Sequence, residues 1–246
     1  WRGMGEEYGK RSSAEIRQVF EGLFQRLQEV GMDEQTLSET IVGYRALLEG
    51  SSPEMLEFME GIAEGSSLEM QKSASGTDLD DTQKIMLINF FASIYESAPD
   101  FNGSLEEEGS CWDCLGDMTS TADPLAGTNI DASFYPFMYR LALVVIPDDP
   151  ESHIYFSLPV AGSVGGPAGM NEKGVYVASL PVNAANPTET TSEAPQDDTE
   201  GARSLSLPAS FLSTLVLTKS RDVKSARETI LYGPQELGAG GEEEDL

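Results

Sequence analysis

Two cysteines three positions apart, in the run Cys111-Trp112-Asp113-Cys114, are the residues of this chain best suited to covalent chemistry. Thiols at that spacing can lower each other's pKa and exchange disulfides, so a redox protein is one reading. No βαβ pattern surrounds the pair, however, and the charge of Asp113 between the sulfurs would raise a thiol pKa, not lower it. Tetrahedral zinc would need two further ligands, and the chain has no other cysteine pair and one histidine, His153. That histidine is also the only imidazole for a cysteine-histidine dyad. It lies in a strand-like run where nothing local marks it as a base.

A cysteine can be activated without histidine if it becomes the first residue of a chain. A free α-amine titrates at roughly 7.7 to 8.0 and can accept the thiol proton, so one residue supplies nucleophile and base. Cys111 follows the acidic, Gly-punctuated stretch from Asn102 to Ser110, where a chain break could be tolerated. It also stands where the periodicity of the sequence changes.

Before that point the pattern is helical. Ile16, Val19, Phe20, Leu23, Phe24, Leu27 and Val30 repeat at three-and-four spacing, with Ser12 or Ser13 as cap and Gly31 as stop. A second helix is expected over 33–48. A third opens on Ser52-Pro53-Glu54 and is expected to end at Gly65; a buried fourth covers 84–95. After Cys111 the runs 141–146, 153–158 and 175–180 are β-branched and aromatic, bounded by Pro, Gly and Asp, and predict strands. The Gly-rich 162–169 segment lacks the spacing and following Lys of a phosphate loop and predicts a tight strand connection. The 186–201 stretch has no apolar residue larger than Ala and predicts a flexible insertion. Helices over 206–217 and 222–231 close the pattern, with a frayed tail after Gly233. The expectation is an α+β fold, with helices packed on a mostly antiparallel sheet. A helical region, 1–110, and a strand-rich region, 111–246, together form one domain.

Composition narrows the partners. With 15 Lys and Arg against 42 Asp and Glu, the net charge of -27 repels phosphate backbones and anionic membrane surfaces, which excludes nucleic acid as the expected partner. No stretch approaches the roughly 20 apolar residues of a membrane helix. Two cysteines so close together cannot staple a domain of this size. The chain opens on Trp1 without a basic-then-apolar signal pattern; a cytoplasmic location and export after signal removal both stay open.

Several segments, in order, resemble the acyl-coenzyme A:6-aminopenicillanic acid acyltransferase family and its choloylglycine (bile-salt) hydrolase relatives, which are N-terminal-nucleophile (Ntn) hydrolases. Pro53 to Gly65 (PEMLEFMEGIAEG) is similar to that family's Pro-Glu…Gly-Ile-Ala-Glu-Gly helix, with Leu87-Ile88-Asn89 in its next helix. The run SCWDCLGDMTSTADPLAGTNID resembles the family's cysteine followed by Gly-Asp, a turn and Gly-x-Asn-x-Asp, met here as Gly127, Asn129 and Asp131. Gly169-Met170-Asn171-Glu172-Lys173-Gly174 matches the family's turn residue for residue and is the most specific signal. The resemblance spans about positions 40 to 232.

The resemblance implies α-β-β-α layers, incomplete here because the family's further strands follow the position of Leu231. It implies self-cleavage before Cys111, attack of its sulfur on a linear amide of a small N-acyl substrate, and transfer of the acyl group to water or an amine acceptor. No cofactor is needed. Asp131 would hold the Cys111 amine, and Asn171 would donate to the oxyanion. Distance to Gly116-Asp117 and Gly127 favours Cys111 over Cys114 as nucleophile. Thr128 stands where many relatives carry Arg, and Trp112 where they carry Ser or Thr. These differences keep open a non-catalytic binding relative; the cysteine spacing alone keeps open the thiol-disulfide protein.

Overall fold

The computed structural model describes residues 1–73, 75–100, 107–114, 125–132, 139–179 and 207–232. Five helices come first: α1 (Arg2–Arg11), α2 (Ser13–Glu29), α3 (Glu34–Ser51), α4 (Pro53–Met70) and α5 (Asp81–Glu96). The strands β1 (Glu107–Cys114) and β2 (Leu125–Ala132) pair antiparallel. Then β3 (Leu143–Val145), β4 (Tyr155–Ser157), β5 (Ala168–Asn171) and β6 (Tyr176–Ala178) form an antiparallel sheet in chain order, before α6 (Ala209–Lys219) and α7 (Val223–Tyr232). The fold is α+β.

Local chemistry sets several helix ends. At the end of α2, Gly31 adopts φ +73°, and the N–H groups of Gly31 and Met32 donate to the carbonyls of Gln28 and Leu27. That double closure satisfies two carbonyls the helix would otherwise leave bare. Asp33 caps α3 through the Thr36 N–H at 2.9 Å, and Asp80 and Gln83 form a reciprocal capping box on α5. Ser12 stands at the α2 N-cap but makes no side-chain cap bond.

Gly65 does not end the third helix. α4 continues to Met70, because Gly61 and Gly65 face Gly5 and Gly9 of α1 and the two backbones touch. A Cβ on Gly61 or Gly65 would lie 2.0 or 2.1 Å from the Arg2 or Glu6 carbonyl, and one on Gly5 or Gly9 would lie 2.2 or 2.3 Å from Phe58 or Ile62. The same feature hides α1 from a search for apolar periodicity, since its contact face is made of glycine. Arg2 adds exposed ion pairs to Glu60 and Glu64, which contribute little.

α2 to α5 build one apolar core around Phe20, Phe58 and Phe90. Phe211 of α6 joins it through a stack in which the Tyr44 and Phe90 rings lie 4.1 Å apart and the Phe90 and Phe211 rings 5.1 Å apart. The β4–β5 connection also enters this core with Ala161 and Val164. The sequence predicts that it links the strands at 153–158 and 175–180 directly; instead its last residues form β5, which pairs between β4 and β6 and which the glycines conceal. The buried Asn89 amide holds the connection: Nδ2 donates to the Gly162 carbonyl and Oδ1 accepts from the Val164 N–H, both at 2.9 Å. The Gly162 N–H donates to the Tyr8 hydroxyl at 2.9 Å, and burial pushes that hydroxyl's pKa well above its usual value.

Alternation in the four-stranded sheet separates two faces. Val145, Tyr155 and Leu217 of α6 form a buried cluster on one, joined by partly buried Trp1 and Met4 of α1. Val175, Val216 and Ala226 extend it to α7. The expected insertion at 186–201 and the tail after Gly233 lie outside the described residues. Among the described residues no helix is long and apolar enough to cross a membrane.

Gly65→Ala should destabilise the protein by about 1–3 kcal/mol in urea unfolding, because backbone must move to admit the methyl group. Gly50→Ala, in a helical position with nothing within 4 Å, should be neutral or stabilising by up to about 1 kcal/mol. Equal midpoints for the two variants would show that the α1–α4 contact is not close.

Candidate functional site

The β1–β2 register fixes where the predicted residues stand along the backbone. Cys111 pairs with Thr128, Trp112 with Gly127 and Cys114 with Leu125. Asp131 pairs with Glu108, three positions along the strand from the Cys111 pair and six from that of Cys114. At about 3.4 Å per residue, Asp131 is displaced along the strand by roughly 10 Å from Cys111 and roughly 20 Å from Cys114. The register therefore does not bring Asp131 and Cys111 together; it puts another acidic residue, Glu108, opposite Asp131.

The same geometry bears on the cysteine pair. Residues three apart in an extended strand have Cα atoms roughly 10 Å apart, whereas a disulfide needs them within about 7 Å. Bonding Cys111 to Cys114 would require β1 to break.

A cavity of about 590 Å³ lies between β2 and the sheet face turned away from α6. Its β2 wall is Ala126 and Gly127, next to the Cys111–Thr128 pair. Its floor is a cross-strand row, Val144, Phe156, Met170 and Tyr176, whose members are register neighbours from β3 to β6. Val144, Phe156 and Met170 are 61%, 39% and 41% exposed, unusual for large apolar side chains gathered in one row. Ile154 and Leu158 widen the row along β4. Sequence alternation could have indicated this face, but a sheet with one solvated side would be expected to carry polar residues there.

Asn171 ends β5 at the edge of the cavity and is buried. Its Nδ2 donates to the Leu217 carbonyl at 3.0 Å and the Ser220 carbonyl at 2.6 Å. Its Oδ1 accepts from the N–H groups of Lys173 and Val175 at 3.1 and 3.0 Å. One amide thus satisfies carbonyls at the end of α6 and closes the β5–β6 turn, whose positive φ of 78° belongs to Gly174. Both amide hydrogens are committed, so donation to an oxyanion would require one of these bonds to be given up.

His153 stands just before β4. Its backbone N–H donates to the Thr218 carbonyl, and its Nδ1 lies 3.6 Å from Glu172. Among the described residues no cluster of three or more His, Cys, Asp and Glu side chains is placed to hold a metal ion. Compared with protein-family models and with curated proteins, the chain matches none.

Asn171→Ala should lower stability by about 2–4 kcal/mol, from the lost bonds and the buried groups left without partners. Thermal and urea unfolding of the purified variant check this. A variant as stable as its parent would show that the amide does not hold α6 to the β5–β6 turn.

Proposed function

We propose that the protein is a cysteine Ntn hydrolase or acyltransferase, with Cys111 as nucleophile after cleavage of the Ser110–Cys111 bond. The observation that carries this reading is the juxtaposition of the Cys111–Thr128 pair with a cavity whose opposite side is built by the Gly169 to Gly174 turn and its strands. Two of the segments that resemble the family, the one that runs from Cys111 to Asp131 and the Gly169 to Gly174 turn, thus border one space. The β1–β2 pair over one sheet face, with α6 and α7 on the other, is compatible with an α-β-β-α arrangement.

In this reading the chain before Cys111 is more than a tether. Glu107 to Ser110 occupy the register positions opposite Asn129 to Ala132. Cleavage frees these four residues to leave, which removes Glu108 from its place opposite Asp131; the start of the new chain must then shift along β2 by about three residues, roughly 10 Å, to bring the Cys111 ammonium to that carboxylate. An acceptor carboxylate suits an ammonium that must be positioned, and the amine then takes the thiol proton. The sulfur attacks the amide carbonyl, the amine part leaves with a proton, and water or another amine takes the acyl group.

One observation favours a second reading, a binding relative without catalysis: the Asn171 amide is fully occupied by the α6 carbonyls and the turn. Turnover of linear N-acyl amides separates the two. Cys111→Ala should abolish turnover and Cys114→Ala should retain it. Asp131→Asn should reduce it about ten- to a hundredfold, the worth of one charge-assisted contact of about 1.5–3 kcal/mol, with an unchanged unfolding midpoint. Full activity of Asp131→Asn would remove Asp131 from the mechanism; a correctly cleaved parent that turns over nothing would favour the binding relative.

A further inference from the structure

The cavity has a second property beside its shape. Among the described residues that line it, Glu172 is the only charged one, and no Lys or Arg reaches its wall. Glu172 itself is partly balanced by Lys173 at 3.3 Å, which lies outside the lining. The chain as a whole carries a net charge of -27. An anionic group entering this space would meet a negative field and no counter-cation, on an apolar floor that cannot solvate it. A hydrocarbon or aryl group would instead cover Val144, Phe156 and Met170, large apolar side chains that are otherwise open to water. At about 590 Å³ the space is within the usual range for a small-molecule site.

We infer that the cavity takes amides with an apolar acyl group and an amine part that is neutral or positively charged, and discriminates against amides whose amine part carries a carboxylate. The placement of the amide bond rests on the proposed function; the apolar and charge preferences rest on the lining. The row of apolar side chains across four strands supplies the acyl contact, and the absence of a cation among the described lining residues supplies the discrimination.

Three ligands of nearly equal size test it: N-octanoyl propylamine, N-octanoyl ethylenediamine with its free ammonium, and N-octanoyl glycine with its free carboxylate. Binding is measured by calorimetry on Cys111→Ala protein, so that no ligand is consumed, at low and high salt. The neutral and cationic amides should bind, and the glycine conjugate should bind at least fivefold more weakly at low salt, with a gap that narrows as salt screens the field. Val144→Glu, at a position already open to water, should weaken the neutral amide at least tenfold without changing the unfolding midpoint. The inference is overturned if the glycine conjugate binds as tightly as the neutral amide, if no ligand binds, or if Val144→Glu leaves binding unchanged. Turnover separates this from the functional reading. A parent that cleaves all three amides equally sinks the charge preference and keeps the enzyme, whereas selective binding without any turnover keeps the preference and sinks the enzyme.

Discussion

The rest of the structure depends on how the β4–β5 connection is anchored in the helical core. A backbone segment buried among Ile16, Ile88 and Val164 must have its polar groups satisfied, since each one left bare costs about 1–3 kcal/mol. Asn89 meets the Gly162 carbonyl and the Val164 N–H, and Tyr8 meets the Gly162 N–H. Gly162 itself is held at φ +91° with the Ile88 side chain against it, so a Cβ there would be both strained and crowded. With those groups fixed, β4 and β5 leave the core in a set direction, and the sheet they begin can present only one face to α6.

That orientation divides the labour of the sheet. The face toward α6 is closed by Tyr155, Val145 and Leu217, and its far edge is closed by the Asn171 amide, which ties the end of α6 to the β5–β6 turn. The opposite face keeps an apolar row under β2. A reaction site built there would lie between a sheet backed by helices and the strand pair that carries the cysteine. The Asn171 amide is spent on architecture, so electrostatic stabilisation of an oxyanion in this site would have to come from other donors or from a rearranged turn.

Helices with apolar stripes were legible in the sequence, because α2 to α5 are positioned by side-chain burial and that leaves a periodic record. What escaped was structure held by backbone contact. α1 has little apolar periodicity because Gly5 and Gly9 are its contact residues, and Gly65 resembles a stop signal while serving as the matching surface on α4. β5 was hidden for a related reason: Gly169 packs under Leu217 and against the Phe156 carbonyl, where any side chain would collide. Of the candidate site, the turn from Gly169 to Gly174 was legible as a motif, and it joins β5 to β6. The committed hydrogen bonds of Asn171 and the displacement of Asp131 from Cys111 follow from tertiary placement and register, which residue order does not encode locally.

The intact mass of the purified protein, followed over time under reducing conditions, tests the account most directly. The parent should give two fragments, broken between Ser110 and Cys111 with the second beginning Cys-Trp-Asp-Cys, and Cys111→Ala a single intact chain. A parent that stays whole, or a Cys111→Ala variant that breaks at the same bond, would contradict it.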